Sequence, residues 1–431
     1  MAKFRMKMIS IILILFFISF SLVGCTNTTT NNTRQSINDL AYVIALGLDV
    51  GENNTLKLTL QISKTNNTSS SSGGSDSSQS SDTIVHSVEC SSISSGISLF
   101  NSYMGKEVNL SHCKVIVISE QLASDGISDY IYNLVNNIQI HAEANMIVCK
   151  CTAEDFLKNS TPILETLSAK YYEITDSASQ YTGYTDTVTF GEFFSNYTDT
   201  FQETYAILGG INTTKTNSTN IPSNSSSDIS LFKDVSSSDN IYVAGEIPTD
   251  SEQTSIDNIG IAVFNSDKIV GELNGMETIC HMIVTNKLNR SFIRIPSPIS
   301  ADEYLDINIR VVGSPKIKVH LINDTPYITI SVKINARLLS MTEDSNDLSS
   351  TNKKQIEDYI NKYLEKNIKN YLYKTSKEFN SDIVGFGRYA VKYFTTWDDW
   401  ISYNWNHNYR NSFFSVDINS SLRSAYLLVD S

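Results

Sequence analysis

The chain carries fewer basic than acidic residues, and this shortage argues against partners that are bound through clustered positive charge. It has 33 lysines and arginines against 46 aspartates and glutamates. Three of the basic residues, Lys3, Arg5 and Lys7, belong to an N-terminal segment that we expect to be removed, which leaves 30 basic residues and a formal charge of −16. Binding to nucleic acid or to anionic lipid by charge needs clustered lysine and arginine. Neither mode is expected of this protein.

Cysteine is also scarce. Apart from Cys25, the chain has five cysteines, an odd number in a long chain, which argues against a disulfide-stapled scaffold. Cys149 and Cys151 could suggest a redox or metal site, but no second cysteine pair or spaced histidine pair accompanies them, and structural zinc needs four ligands at recognisable spacing. We interpret both as small core residues. The others are Cys90, Cys113 and Cys280.

Motifs that would indicate an enzyme are missing. The Gly-x-Ser-x-Gly, P-loop and His-Glu-x-x-His patterns are all absent. Asp398 and Asp399 are adjacent on a predicted helix, so their carboxylates point in different directions. His112, His281 and His407 have no partner defined by spacing, and a structural role is favoured for each. The sequence therefore predicts a protein that is not an enzyme, with no catalytic residue, no metal site and no cofactor.

One glycine-containing segment, residues 382–387 (DIVGFG), could be mistaken for a phosphate loop. It has the composition of a tight loop between helices, in which glycine supplies positive φ. No strand precedes it, so a phosphate-binding role is not expected.

What the chain does contain is a lipoprotein signal. Residues 8–23 are apolar except for three serines, and Gly24 then precedes Cys25. This run is shorter than the roughly 20 residues that a spanning helix needs. We predict that Cys25 is the lipid attachment residue, whose thiol takes a diacylglyceryl group and whose α-amine is open to acylation, because two or three acyl chains anchor a protein stably. The alternative is an uncleaved N-terminal anchor.

Composition then divides the mature chain. Residues 25–36 are predicted to form a flexible tether. Residues 64–82 and 212–240 are rich in serine, asparagine and threonine, and we predict disordered insertions there because they have almost nothing apolar to bury. The predicted domains are an N-terminal α/β domain at 37–187, a middle domain at 188–300 and a C-terminal α+β domain at 301–431.

Hydrophobic periodicity predicts the elements of these domains. In the last third, alternating strands at 305–311, 317–321 and 328–336 predict an antiparallel meander with one apolar face. A helix over 351–379 is predicted to cover that face, followed by a helix with Trp397 and Trp400 and an edge strand at 413–418. Before that, strands are predicted at 40–50, 56–62, 83–90, 114–118, 144–151, 203–210, 259–264 and 268–273. Helices are predicted at 92–103, 125–137, 152–175 and 276–285. The fold class is therefore α+β, with three mixed α/β domains in a lipid-anchored ectodomain.

The order of these features resembles the Ger(x)C family, the lipoprotein C subunit of GerA-type spore germinant receptors. The resemblance covers nearly the whole mature chain, and the two insertions are longer than expected for the family. It rests on five places: Cys25 with its preceding run, DLAYVIALGLD at 39–49, LSHCKVIVISEQLASDGI at 110–127, IGIAVF with DKIVGEL at 259–273, and the long helix leading into DIVGFG at 382–387 and Trp397.

The resemblance implies a role, a location and partners. It implies a non-enzymatic lipoprotein at the outer face of the spore inner membrane, which assembles with a polytopic A subunit and a transporter-like B subunit in nutrient-triggered germination. The alternative is a lipid-anchored solute-binding protein of a transporter, which should show two α/β lobes around a cleft. The predicted C-terminal meander under a long helix disfavours that alternative, and a surface hydrolase lacks a candidate nucleophile.

Overall fold

The computed structural model describes residues 37–64, 82–160, 167–212, 241–247, 255–299, 304–340 and 350–424. Cys25, the predicted tether and almost all of the two predicted insertions lie outside these residues, so the expectations for them stay predictions. The chain divides into two units, Met1–Leu40 and Ala41–Ser431, and the site described below lies in the second. Within the described ranges, no helix combines the length and the apolar character needed to cross a membrane.

A nine-stranded mixed sheet forms the larger of two sheets. Its strands are hydrogen-bonded in the order β3-β2-β1-β5-β6-β7-β8-β9, with β4 paired to β1. The pairs along β1-β5-β6-β7 are parallel and the outer pairs are antiparallel. All five residues of β5 are buried, as expected of an uninterrupted apolar run in a parallel region. The strands are β1 Leu40–Val50, β2 Leu56–Ser63, β3 Thr83–Cys90, β4 Glu107–Asn109, β5 Val115–Ser119, β6 Asn145–Cys149, β7 Tyr205–Asn212, β8 Ser255–Asn265 and β9 Lys268–Leu273.

Local capping sets where the helices of this region begin. Before the helix Ala153–Asn159, the Thr152 hydroxyl accepts the N–H of Asp155 at 3.1 Å. The carboxylate of Asp49, at the end of β1, accepts the first two N–H groups of the helix at 2.7 and 3.0 Å. A carboxylate at this position satisfies donors that have no partner inside the helix. The helices are α1 Ile93–Met104, α2 Glu120–Asp125, α3 Ser128–Val135, α4 Ala153–Asn159, α5 Ser168–Thr182, α6 Phe190–Tyr197 and α7 Gly275–Val284.

The larger sheet continues across the predicted boundary between residues 187 and 188. Strand β6 precedes that boundary and β7 follows it, yet the two are parallel neighbours, with Ile147 opposite Ile207. The predicted strands on both sides are confirmed, and they share one sheet. The division into three domains stays a prediction.

The smaller sheet has a different strand order from the predicted meander. Strand β13 pairs in parallel with β14 from Tyr327 to Leu338, which occupies one edge of β13. On the other edge, β12 pairs with residues 325–331 and β11 with residues 334–340. The predicted strands exist and are antiparallel to β13, but β11 and β12 lie end to end because β13, with 16 residues, is long enough to pair with both. The strands are β10 Ser291–Pro296, β11 Tyr304–Val311, β12 Lys316–Ile322, β13 Thr325–Ser340 and β14 Phe413–Ser424.

The predicted long helix is confirmed as α8, Ser350–Tyr373. Its apolar stripe belongs to the same core as the inward side chains of β11 and β13. Side chains three or four residues apart share one face of a helix, which is why this spacing produces a continuous buried stripe. The fully buried residues of the stripe are Ile356, Ile360, Leu364, Ile368, Tyr371 and Leu372.

A second row of α8 side chains closes the free edge of β14. Glu357, Asn361 and Glu365 follow one another at intervals of about one turn, and their side chains accept N–H groups of β14 at 2.7, 2.8 and 3.3 Å. An unpaired strand edge invites pairing with another chain. The helix therefore both fills the core and satisfies the edge of the sheet, and the sequence pattern predicted only the first of these roles.

Short elements connect α8 to β14. A π-helical turn, Lys374–Glu378, ends α8, and three short helices follow: α9 Gly387–Ala390, α10 Trp397–Tyr403 and α11 Trp405–Tyr409. The predicted helix with Trp397 and Trp400 is thus confirmed. Trp400 and Trp405 are buried, with ring centroids 6.0 Å apart.

Candidate functional site

The loop at residues 382–387 is built around a buried carboxylate. Asp382 Oδ1 accepts the N–H of Gly385 at 2.9 Å, and its Oδ2 accepts the N–H of Gly387 at 3.0 Å. The indole N–H of Trp405 donates to the same Oδ2 at 2.8 Å. Burial raises the pKa of Asp382 to about 7, while these donors act in the opposite direction. Gly385 has a φ of +83°, as a tight turn requires, and the loop N–H groups that bond to Asp382 are not free to hold a phosphate.

This loop is fastened to the ends of two strands of the larger sheet. The Ser381 hydroxyl donates to the carbonyl of Phe264 at 2.6 Å, and the N–H of Glu203 donates to the carbonyl of Asp382 at 2.9 Å. A Cβ on Gly387 would lie 2.4 Å from the carbonyl oxygen of Phe201, so no larger residue fits there without a backbone shift. The C-terminal part of the chain is therefore joined to the larger sheet at this point.

Glu203, just before β7, brings a second buried carboxylate to the same junction. It is 7% exposed. Its Oε2 accepts the N–H of Ser266 at 2.7 Å, and its Oε1 accepts the side-chain amide of Asn406. Burial raises the pKa of Glu203 to about 6, against the effect of these two donors. In the described residues, no lysine or arginine forms an ion pair with Glu203.

Beside Glu203 lies a 420 Å³ cavity, which we call the Glu203 cavity. Its walls combine aromatic rings with carboxylates and neutral polar groups. Trp400 is held there by its indole N–H, which donates to the Thr200 hydroxyl at 3.1 Å. The lining comes from α3, the end of α6 with the turn that follows it, the β8–β9 turn, and α10 with α11. Its residues are Tyr132, Tyr197, Asp199, Thr200, Glu203, Ser266, Asp267, Trp400, Ile401, Asn404, Trp405 and Asn406.

His281 lies away from this cavity, in a buried polar network. Its Nδ1 is 2.7 Å from the hydroxyl of Tyr371, and its Nε2 is 3.9 Å from Asp186 Oδ2. Burial, and to a lesser extent the charge of Lys287, lowers the pKa of His281 to about 3, so the imidazole is neutral. Lys287 Nζ lies 3.1 Å from Asp186 and 2.7 Å from Glu192. A neutral histidine bonded to a tyrosine of α8 holds α7 and α8 together, which is a structural role.

The remaining residues considered from the sequence are scattered. Asp398, Asp399 and His407 are exposed on α10 and α11. The ring of His112 packs edge-on against that of Tyr42, with centroids 5.0 Å apart. The structure brings none of these residues together into a shared site.

The two cysteines of the Cys149-x-Cys151 pair are both free thiols. Cys149 is buried, and its thiol donates to the carbonyl of Cys151 at 3.0 Å. Among the described residues, no group of three or more histidine, cysteine or carboxylate side chains is arranged to hold a metal ion.

Sequence reasoning did not find the Glu203 cavity. Its residues come from four separate stretches of the chain, and no spacing rule links Glu203 to Asn406. The one local signal was the aromatic density near Trp397 and Trp400, which we interpreted as a helix alone. Glu203 itself sits in a predicted strand with no feature that marks it as buried.

Comparison with protein-family models gives two matches that follow each other along the chain. Residues 33–210 match the family described as the spore germination protein N-terminal domain. Residues 259–425 match the family described as spore germination B3/GerAC like, C-terminal. The stretch between them contains residues 212–240, which were predicted as an insertion.

Two individual proteins are similar to this chain. Spore germination protein KC from Bacillus subtilis (strain 168) is 25% identical over 132 residues, which is 30% of this chain and 32% of that protein. The match thus spans about a third of the relative's length. The crystal structure of the GerBC protein is 18% identical and covers 88% of this chain and 96% of its own, with a TM-score of 0.47. Since both domain models match in order and together cover most of the sequence, the chain belongs to the Ger(x)C family of spore germination proteins.

Proposed function

We propose that this protein is a non-enzymatic lipoprotein subunit of a nutrient germinant receptor. It would act at the outer face of the spore inner membrane through contacts with the membrane A and B subunits. The observation that carries the proposal is the pair of family domains at 33–210 and 259–425, which occur in order in one chain.

The N-terminal sequence supports the membrane location. A short apolar run ending at Cys25 is typical of a lipoprotein signal, and two or three acyl chains would hold the body at the membrane without help from basic residues. The strongly acidic composition fits this arrangement, because a body with that charge has no electrostatic attraction to anionic lipid.

The arrangement of the described residues supports action through contacts. The carboxylates with raised pKa at the junction, Asp382 and Glu203, are bonded to neighbouring N–H groups of the fold. Neither stands beside a serine, cysteine or histidine nucleophile in a catalytic geometry. We infer that the folded body presents surfaces to partners and does not carry out chemistry.

Deletion of the gene tests the proposal. Spores that lack the protein should form normally but respond slowly or not at all to at least one nutrient, and a wild-type copy should restore the response. A trigger that does not use nutrients should work equally well in both strains, which controls for general damage. Normal germination with every nutrient, together with reduced uptake of a solute by growing cells, would favour a solute-binding protein instead.

A further inference from the structure

We propose that the Glu203 cavity binds a small organic ammonium ion, held by carboxylate oxygens on one side and by aromatic rings on the other. This inference goes beyond the receptor role, and its test does not depend on that role.

The first argument is charge. Three carboxylates, of Asp199, Glu203 and Asp267, are part of the lining, and none of the described residues that line the cavity is basic. Arg388 lies 3.0 Å from Asp199 and neutralises it. In the described part of the chain, Glu203 and Asp267 have no such ion-pair partner. Buried charges are usually paired, so a cavity with an unpaired buried carboxylate favours a cation as its occupant.

The second argument is the supply of hydrogen-bond acceptors. Each oxygen of Glu203 accepts one hydrogen bond from the protein and can accept another. A carboxylate with free acceptor positions and no counter-ion matches the several N–H donors of a protonated amine. A quaternary ammonium ion has no N–H and would leave these acceptors unused.

The third argument is the aromatic wall. Two ring pairs line the cavity: Tyr132 with Tyr197, at a centroid distance of 6.1 Å, and Trp400 with Trp405, at 6.0 Å. Aromatic rings attract cations through their π faces and also accommodate apolar groups. The occupant should therefore carry an apolar body next to its ammonium group. A volume of 420 Å³ lies within the range of about 300–1,000 Å³ that is typical of small-molecule sites.

The tryptophan content makes the test specific. The chain has three tryptophans, Trp397, Trp400 and Trp405, two of which line the cavity and the third of which is on the same short helix as Trp400. Tryptophan fluorescence of the full chain in detergent therefore reports on this region alone. The probes are benzylammonium, its neutral counterpart benzyl alcohol, and tetramethylammonium, which is a cation without N–H donors. We expect a saturable fluorescence change with benzylammonium. The affinity for each of the other two probes should be at least about tenfold lower.

Glu203→Gln is the matched variant. Its amide oxygen can still accept the N–H of Ser266, and its amide nitrogen can donate to Asn406 Oδ1 if the Asn406 amide turns over, so the fold keeps both hydrogen bonds. We expect this variant to bind benzylammonium about tenfold or more weakly, since it loses a charge-assisted contact. Asp417→Asn, an exposed carboxylate on β14, is the control and should bind like wild type.

Three results would overturn the proposal. The first is equal affinity for benzyl alcohol and benzylammonium, which would indicate an apolar site. The second is the absence of a saturable fluorescence change with benzylammonium. The third is unchanged affinity for benzylammonium in a Glu203→Gln variant whose circular dichroism spectrum matches that of the wild type. If Glu203→Gln fails to fold, Asp267→Asn on the β8–β9 turn takes its place. It should also weaken benzylammonium binding, and unchanged affinity in that variant would count against the proposal.

Discussion

The indole N–H of Trp405 donates a 2.8 Å hydrogen bond to the carboxylate of Asp382, and both side chains are buried. The same aspartate holds the loop 382–387 closed, and its carbonyl accepts the N–H of Glu203. One residue thus connects the short C-terminal helices, the loop after α8 and the start of β7. We expect the stability of the whole junction to depend on it.

Replacement of Asp382 by alanine should destabilise the protein strongly. It leaves the N–H groups of Gly385, Gly387 and Trp405 without their acceptor in a buried place, at about 1–3 kcal/mol for each unsatisfied group. Urea denaturation of the full chain measures the loss.

A pair of tryptophan variants separates the hydrogen bond from general packing. Trp405→Phe keeps a ring but removes the donor to Asp382, and should lower the free energy of unfolding by about 1–3 kcal/mol. Trp397→Phe is the control, because Trp397 is 55% exposed and its change should be within about 0.5 kcal/mol. Equal losses in both variants would show that the bond to Asp382 contributes nothing specific.

The pKa of Glu203 leads to a pH prediction. Burial raises it from 4.5 to about 6, so in this pH range the folded state binds more protons than the unfolded state. The contribution of Glu203 to stability is therefore greatest below pH 4.5 and falls as the pH rises toward 6. At about 1.4 kcal/mol per pKa unit, the full change is about 2 kcal/mol.

Glu203→Gln should remove this dependence. Relative to wild type, the variant should gain stability as the pH rises from 4.5 to about 6 and keep that gain at higher pH. Urea denaturation of both proteins across this pH range gives the difference between their free energies of unfolding. Groups that titrate alike in both proteins cancel in this difference. A difference that stays constant with pH would contradict the prediction.

The stripe of α8 gives a test of core packing. Ile360→Asp would place an unpaired carboxylate in the core and should cost several kcal/mol, enough to unfold this part of the chain. Lys362→Asp introduces an aspartate two residues away, on the exposed side of α8. It should change the free energy of unfolding by about 0.5 kcal/mol or less. Thermal unfolding followed by circular dichroism compares them, and similar losses at both positions would mean that the stripe does not dock the helix.

The edge of β14 can be tested with a second pair of variants. Glu357 Oε1 accepts the N–H of Leu422 at 2.7 Å. Glu357→Ala removes this acceptor and should increase amide hydrogen exchange at Leu422, whereas Glu357→Gln keeps an acceptor oxygen and should leave exchange near the wild-type rate. Slow exchange at Leu422 in the alanine variant would show that the side chain does not protect the edge.

Lipid attachment at Cys25 remains a prediction from the sequence. Cys25→Ala should abolish the incorporation of labelled fatty acid and release the protein from the membrane fraction, whereas Thr26→Ala should do neither. If Cys25→Ala stays in the membrane, the N-terminal run is an uncleaved anchor. Germination of spores with the alanine variant should be impaired only in part, because a tether raises effective concentration and does not form the interface itself.

The sequence by itself determined the elements, the family and the core stripe of α8. Strands such as Leu40–Val50 and Thr83–Cys90 appear at the predicted positions, because local hydrophobic periodicity follows the geometry of a strand or helix directly. The absence of catalytic motifs and the acidic composition were equally readable, since each is a local or compositional property, and the lipoprotein signal is a prediction of the same local kind.

Only the tertiary structure decided how distant segments meet. The order of β11, β12 and β13 was wrong in the prediction because periodicity shows which face of a strand is apolar but not which edge pairs with which strand. In the same way, Glu203 and Asn406 are 203 residues apart and form a contact that no local pattern encodes. The Glu203 cavity exists because four segments converge at one end of the larger sheet, and such convergence depends on the packing of the whole chain.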